Sequence, residues 1–148
     1  MRLNELKNSL ELKFSGDLSA WEEKNPRRVY VDCSPEKIRE ISEYLYRELA
    51  FRFIIASGVQ TLEGFQILYH FSFDPDGLIL SVRIRLDKEA PEADSISDLV
   101  PAADWIEREI FELLGIKFRG RPDLEHLLLN KDWPKGVYPL RKDYKGNN

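Results

Sequence analysis

Two runs in the middle of the chain alternate apolar and polar residues with period two. Phe65, Ile67, Tyr69, Phe71 and Phe73 form the first, and Leu78, Leu80, Val82, Ile84 and Leu86 form the second. Asp74-Pro75-Asp76-Gly77 lies between them, with proline where a turn needs φ preset and glycine where it needs φ positive. A four-residue loop pairs Phe73 with Leu78. That register sets Phe71 opposite Leu80, Tyr69 opposite Val82, Ile67 opposite Ile84 and Phe65 opposite Leu86. Every apolar residue of the hairpin then shares one face. Gln66, His70, Ser72, Ser81, Arg83 and Arg85 share the other, so helices are expected on one side only.

The flanking elements are read the same way. Leu3, Leu6, Leu10 and Phe14 recur at helical spacing and predict a helix over 2–13. Residues 18–22 read as a short strand, Asn25-Pro26 as a turn and residues 29–32 as a strand. Ser34 followed by Pro35 marks a helix start, an N-cap and then proline in the first helical position. Ile38, Ile41, Leu45 and Leu49 give that helix its apolar face, ending near Ala50. Phe51, Phe53 and Ile55 alternate as a strand ending at Ser57-Gly58. Residues 87–96 read as a polar, proline-containing connection. Ala103, Ile106, Ile110, Leu113 and Leu114 predict a last helix over 102–114, with Gly115 as its C-cap. Beyond it Gly120, Pro122, Pro134, Gly136, Pro139 and Gly146 interrupt every periodicity, and only a short helical turn fits, at Asp123–Leu129. The order predicts an α+β fold of two layers over residues 1–118: a mostly antiparallel or mixed β-sheet, covered by helices on one face. Residues 119–148 follow as an extended arm.

Charge sharpens this division. The chain carries −4, yet residues 115–148 hold eight Lys/Arg against four acids, a local +4 that leaves −8 for residues 1–114. Phe118, Trp133, Tyr138 and Tyr144 are interleaved with those cations, a composition suited to stacking nucleic-acid bases. The whole chain is acidic, with a pI near 5.3, where nucleic-acid modules exceed about 9. The same segment holds Leu124, Leu127, Leu128, Leu129, Trp133, Val137 and Leu140, too many apolar side chains to leave in water. It either folds back on its own domain or covers a partner. A single cysteine excludes a disulfide framework and any cysteine-ligated iron–sulfur cluster held by this chain alone. No apolar run reaches a membrane span of about 18 residues, and the N-terminal MRLNELKNSLELKF lacks a signal-peptide core. Reduced, cytoplasmic surroundings are therefore expected.

Candidate chemistry is sparse. His70 and His126 are far apart in different elements, and a lone strand histidine on a polar face reads as a solvated one. Cys33 reads as a small buried residue with no base beside it. No glycine-rich phosphate loop is present. The one dense cluster is Glu107-Arg108-Glu109-Ile110-Phe111-Glu112. Glu109 and Glu112 share a helix face, as a carboxylate metal site needs, but no histidine is in register. Arg108 and Glu112 stand at i,i+4 and can pair. On the pattern alone, a solvated helix face is the expected reading.

Residues 105–144 strongly resemble the C-type subunit of NADH:quinone oxidoreductase (complex I). That family includes the matching subunits of complex-I-like membrane-bound nickel–iron hydrogenases and formate hydrogenlyases. Glu107-Arg108-Glu109 with Glu112, Gly115-Ile116, Pro122-Asp123-Leu124, Asp132-Trp133 and Pro139-Leu140-Arg141-Lys142-Asp143-Tyr144 occur together, in order, at the family's spacing. The match weakens upstream, through the Ser34-Pro35 helix, Phe65–Phe73 and Pro101-Ala102-Ala103-Asp104-Trp105. Arg121 stands where the family usually has histidine, and Glu125 where it has a basic residue. Pro134-Lys135-Gly136-Val137-Tyr138 is longer than the usual complex I form and resembles the hydrogenase branch.

The resemblance implies a subunit with no cofactor, metal or catalytic residue of its own. It would sit in the peripheral arm on the cytoplasmic face of the membrane, touching the membrane only through the complex. The implied partners are the large hydrogenase-like subunit (the D-type subunit of complex I) and neighbouring iron–sulfur subunits. The residues expected to bind partners are Glu107, Arg108, Glu109 and Glu112 on the helix, as a polar network that anchors the tail or meets a basic partner surface. In the arm they are Leu128, Trp133, Tyr138, Pro139, Leu140, Arg141, Lys142 and Asp143, with Arg141 pairing to a carboxylate. Two alternatives stand beside this reading: a self-sufficient enzyme binding metal through Glu107, Glu109 and Glu112, and a nucleic-acid module built on the basic tail.

Overall fold

The computed structural model describes residues 1–121 and 124–146. Its centre is a five-stranded mixed sheet made of β1 (Leu18–Asn25), β2 (Arg28–Cys33), β3 (Arg52–Gln60), β4 (Gly64–Phe73) and β5 (Leu78–Asp87). The spatial order is β1-β2-β5-β4-β3. β2 and β5 run parallel and the other neighbours antiparallel. Helices α1 (Leu3–Lys13), α2 (Ile38–Glu43) and α3 (Ala103–Leu114) complete the two-layer α+β architecture that the sequence predicts.

The β4–β5 hairpin has the expected register throughout, including Phe71 opposite Leu80. Its apolar face is the middle of the core: Ile67, Phe71, Leu80, Val82 and Ile84 are wholly buried, together with Leu6, Ile38, Ile41 and Leu45 from the helices. The polar face is less solvated than its composition implies. Ser72, Ser81 and Asp32 are buried there, because long neighbours on central strands cover short ones. Ser81 Oγ bonds His70 Nδ1 at 2.7 Å, and Asp32 sits between Arg83 and Arg85, each at 3.0 Å. His70 is half-buried rather than solvated, and burial with Arg28 nearby lowers its pKa. Cys33 is buried as expected, and burial beside Asp32 pushes its thiol up to about 12.

Four local expectations need correction. Ser34 has extended backbone but makes no side-chain cap. The helix enters through a 3-10 turn at Pro35–Lys37 and leaves through a π turn at Tyr44–Glu48. β3 does not stop at Ser57-Gly58 but runs on to Gln60. Gly58 marks a close approach: a Cβ there would lie 2.8 Å from Leu114 Cδ1, so the missing side chain is what lets α3 settle on the strand. A bulge between Phe53 and Ile55 also breaks the simple alternation, so Ala56 takes the buried place and Ile55 is exposed. Finally, the polar connection at 87–96 contains a strand, β6 (Glu92–Asp94), paired in parallel with β7 (Lys117–Arg119). Ala93, Ile96 and Phe118 carry that ribbon into the core.

Candidate functional site

α3 carries the charged cluster, and the structure buries two of its acids. Glu107 and Glu112 are each 1% exposed, so the cluster is not a solvated face. Glu107 Oε1 accepts from the Ile96 N–H at 2.8 Å, and Oε2 from Ser95 Oγ at 2.7 Å. Arg121 lies 3.4 Å from the same carboxylate and also pairs with Asp104. This arrangement clamps the end of β6 and the stretch following β7 onto the helix. Burial raises the Glu107 carboxyl above its ordinary pKa, against the pull of Ser95, Ile96 and Arg121.

Glu112 works one turn further along. Its carboxylate accepts from the backbone N–H groups of Leu128 at 2.7 Å, Leu127 at 2.8 Å and Leu129 at 3.3 Å, with His126 Nδ1 3.3 Å away. Three convergent N–H groups form a nest for an anion, filled here by a side chain of the same molecule. Arg108 does not pair with Glu112. It donates to the carbonyls of Glu125 at 3.2 Å and His126 at 2.8 Å. Arginine and glutamate therefore grip opposite polarities of one backbone segment, which satisfies more polar groups than a mutual ion pair would. That segment is irregular, so no helical turn forms at 124–129, while Pro122 and Asp123 lie outside the described residues.

The rest of the arm returns over the C-terminal end of α3. Leu140 N–H donates to the Leu113 carbonyl at 3.0 Å, and Arg141 Nε to the Leu114 carbonyl at 2.7 Å. The guanidinium thereby caps helix carbonyls at the negative end of the dipole. It also stacks on Tyr138 and Phe65, at 4.7 and 5.1 Å from the ring centroids. Gly115 makes this closure feasible: its φ is +76°, and a Cβ would fall 2.5 Å from the Tyr138 ring. Lys142 N–H donates to Gln60 Oε1 at 2.7 Å, tying the arm to the end of β3.

The expected site residues thus divide in two. Glu107, Arg108, Glu112, Tyr138 and Arg141 are engaged within the chain. The others keep at least part of their surface open to solvent. Leu128 and Leu140 are 65% and 61% exposed, and Lys142 and Asp143 are exposed. Glu109 and Pro139 are half-buried. Trp133 is also half-buried, its indole N–H donating to the Val137 carbonyl at 2.7 Å. Between α3 and the arm lies a cavity of about 940 Å³, lined by Phe111, Leu124, Leu127, Leu129, Val137 and Tyr138. Sequence reasoning missed Ser95, Arg121 and Gln60, polar residues in stretches without periodicity. The exposed Trp105 lies in a stretch that carries the family resemblance, but nothing in the sequence marks it as a site residue.

Neither alternative reading finds support. Glu107, Glu109 and Glu112 point to different neighbours, and among the described residues no group of three or more His, Cys, Asp or Glu could hold a metal ion. The tail aromatics are engaged with one another and with α3: Trp133 lies 6.1 Å from Tyr144, and Tyr138 lies 6.3 Å from Phe111. No helix among the described residues is long and apolar enough to cross a membrane.

Comparison with known proteins gives this site its setting. Residues 31–148 match the family model described as the respiratory-chain NADH dehydrogenase 30 Kd subunit. The chain belongs to this family. A subunit of the F(420)H(2) dehydrogenase of Methanosarcina mazei is 34% identical over 141 residues, covering 93% of this chain and 89% of that protein. Membrane-bound hydrogenase subunit beta of Pyrococcus furiosus is 35% identical over 124 residues, covering 80% and 71%. A chain in the solved structure of the membrane-bound sulfane sulfur reductase, an archaeal respiratory membrane complex, has the same fold. Its TM-score is 0.83 at 23% identity, covering 96% of this chain and 85% of that one. Members of the 30 Kd family are subunits of complex-I-like assemblies of the membrane-bound hydrogenase or NADH/quinone type.

Proposed function

We propose that this 30 Kd-family chain is a cofactor-free accessory subunit of such an oxidoreductase, lying in the peripheral arm at the cytoplasmic face of the membrane. It docks on the large, hydrogenase-like subunit, and neighbouring iron–sulfur subunits carry the electrons. The observation that carries this reading is the presentation of the arm. Glu112 and Arg108 fix its backbone at 125–129, and Arg141 fixes it at the helix end, while Leu128 and Leu140 are turned outward. Apolar side chains held outward on a pinned backbone offer a partner anchors whose ordering cost is already largely met. Trp133, Pro139, Lys142 and Asp143 extend the same surface.

Two measurements test this. Leu128→Asp combined with Leu140→Asp should leave the circular dichroism of the chain unchanged, because both side chains face solvent. It should reduce recovery of the large subunit on the tagged chain at least tenfold, the effect of losing buried anchors worth about 1.4 kcal/mol or more. Undiminished recovery places the contact elsewhere. The isolated chain should show a blank visible spectrum and no turnover with hydrogen or NADH. A stoichiometric chromophore or turnover by the pure chain contradicts a scaffold role.

A further inference from the structure

The two edges of the sheet differ in kind. β1 is guarded: it carries Glu22, Glu23 and Lys24, and bulges break its register at Ser19/Glu22 and Glu23/Asn25. Charges and bulges of this sort block the addition of another strand. β3 has a single bulge near its start and then no such guard. From Phe53 to Val59 it has seven consecutive residues without a charge, and Ile54, Ile55 and Val59 are exposed. It pairs with β4 on one side only, so alternate N–H and C=O groups along it face away from the sheet.

α3 supplies a wall beside this edge. Its close approach at Gly58 leaves a groove of about 250 Å³ along Ile55–Gly58, bounded by Ile106, Leu113 and Leu140. Glu109 is the one ionisable residue lining it. The other acids of the helix are matched within the chain: Asp104 and Glu107 by Arg121, Glu112 by the N–H groups of the arm. Glu109 is half-buried beside aliphatic side chains and has no cationic partner among the described residues. A carboxylate in that position calls for a cation from outside.

We propose that the β3 edge receives an extended strand from a neighbouring subunit, added as a sixth strand of the sheet, with a lysine or arginine reaching Glu109. This is a second attachment that rests on the same subunit reading and adjoins the arm surface at Leu140. Main-chain groups on an open edge are satisfied by a strand and not by a helix, and the flanking groove takes alternate apolar side chains of that strand. A second copy of this chain is a poorer occupant, because the one basic residue of its β3, Arg52, is already paired with Asp74, and it would bring another unmatched Glu109.

Hydrogen–deuterium exchange over peptides spanning β3 compares the intact complex with the isolated full-length chain. The outward-facing amides between Ile54 and Val59 should exchange at least tenfold more slowly in the complex. A photoreactive amino acid in place of Ile55 should then capture, within the complex, a lysine- or arginine-bearing peptide of another subunit. Glu109→Gln should reduce that capture severalfold while leaving the circular dichroism of the chain unchanged. Equal exchange in the two states overturns the proposal. So does capture of a second copy of this chain, or of a peptide lacking a basic residue. The arm is intact in all of these samples, so failure here is distinct from failure of arm docking.

Discussion

Phe71→Ala should lower the unfolding free energy by about 3–5 kcal/mol, the usual cost of removing a buried aromatic ring from a core. The ring has no solvent exposure and lies on a central strand opposite Leu80. It also meets Phe53 edge-on, with centroids 5.5 Å apart and planes at 68°. Such pairs contribute about 0.5–1.5 kcal/mol beyond burial. β4 is hydrogen-bonded on both sides, so its backbone cannot sink into the space the ring leaves, and the cavity persists. Urea denaturation followed by circular dichroism measures the loss directly, with the slope against denaturant unchanged. A loss below about 1 kcal/mol would mean that this face of the hairpin is not the core.

Glu112→Ala should have the second-largest effect, and a more local one. It strips the acceptor from the N–H groups of Leu127, Leu128 and Leu129 at one stroke. Hydrogen bonds to a charged group contribute about 1.5–3 kcal/mol each at most, and these three share one carboxylate, so a total of about 3 kcal/mol is expected. The loss falls on the arm rather than on the sheet. Limited proteolysis should cut residues 124–146 several times faster, while the unfolding midpoint of the domain moves little.

Acid should mimic this substitution. Burial alone would raise the Glu112 carboxyl, but the N–H groups of Leu128, Leu127 and Leu129, with His126, together hold it below its ordinary value. A depressed carboxyl contributes its stability above the unfolded-state pKa, about 4.3, and loses it as pH falls through the lower folded value. Cleavage of the arm should therefore accelerate below about pH 4 in the natural sequence. Glu112→Ala should cleave fast at every pH. Glu107 has the opposite sign: burial raises it, so its ionisation subtracts stability as pH rises past the ordinary carboxylate range. A pH-independent cleavage rate in the natural sequence contradicts this role for Glu112.

Much of the fold is legible in the sequence because its strongest pattern is local. Ten apolar residues at period two around a Pro-Asp-Gly turn leave one register that sets them all on one face, and that register is the one observed. The limits of α3 follow equally from its apolar spacing and Gly115. What escapes is set by distant neighbours. Gly58 looks like a strand end and is instead the contact point of a helix some fifty residues further on. β6 and β7 have three residues each, too short for any periodicity to register. The cluster on α3 is visible as a cluster, but its division of labour is not. Glu107 and Glu112 find partners far along the chain, and a charge run offers no sign of which members turn inward. Arg141 caps a helix and stacks on two rings, contacts that depend on the arm's return path and leave no mark in the sequence.

Shortening the chain tests the proposed attachment of the arm to a large partner subunit most directly. A chain ending at Arg121 keeps β7 and the ion pairs of Arg121 with Asp104 and Glu107, so the α+β domain should hold. Co-expressed with its partner subunits, that shortened chain should give a domain-like circular dichroism spectrum and a cooperative thermal transition. It should recover at least tenfold less of the large subunit on affinity purification than the full chain, which recovers it in stoichiometric amount; the β3 edge alone holds only the remainder. Stoichiometric recovery by the shortened chain would contradict the claim and move the main attachment to α3 and the sheet edge beside it.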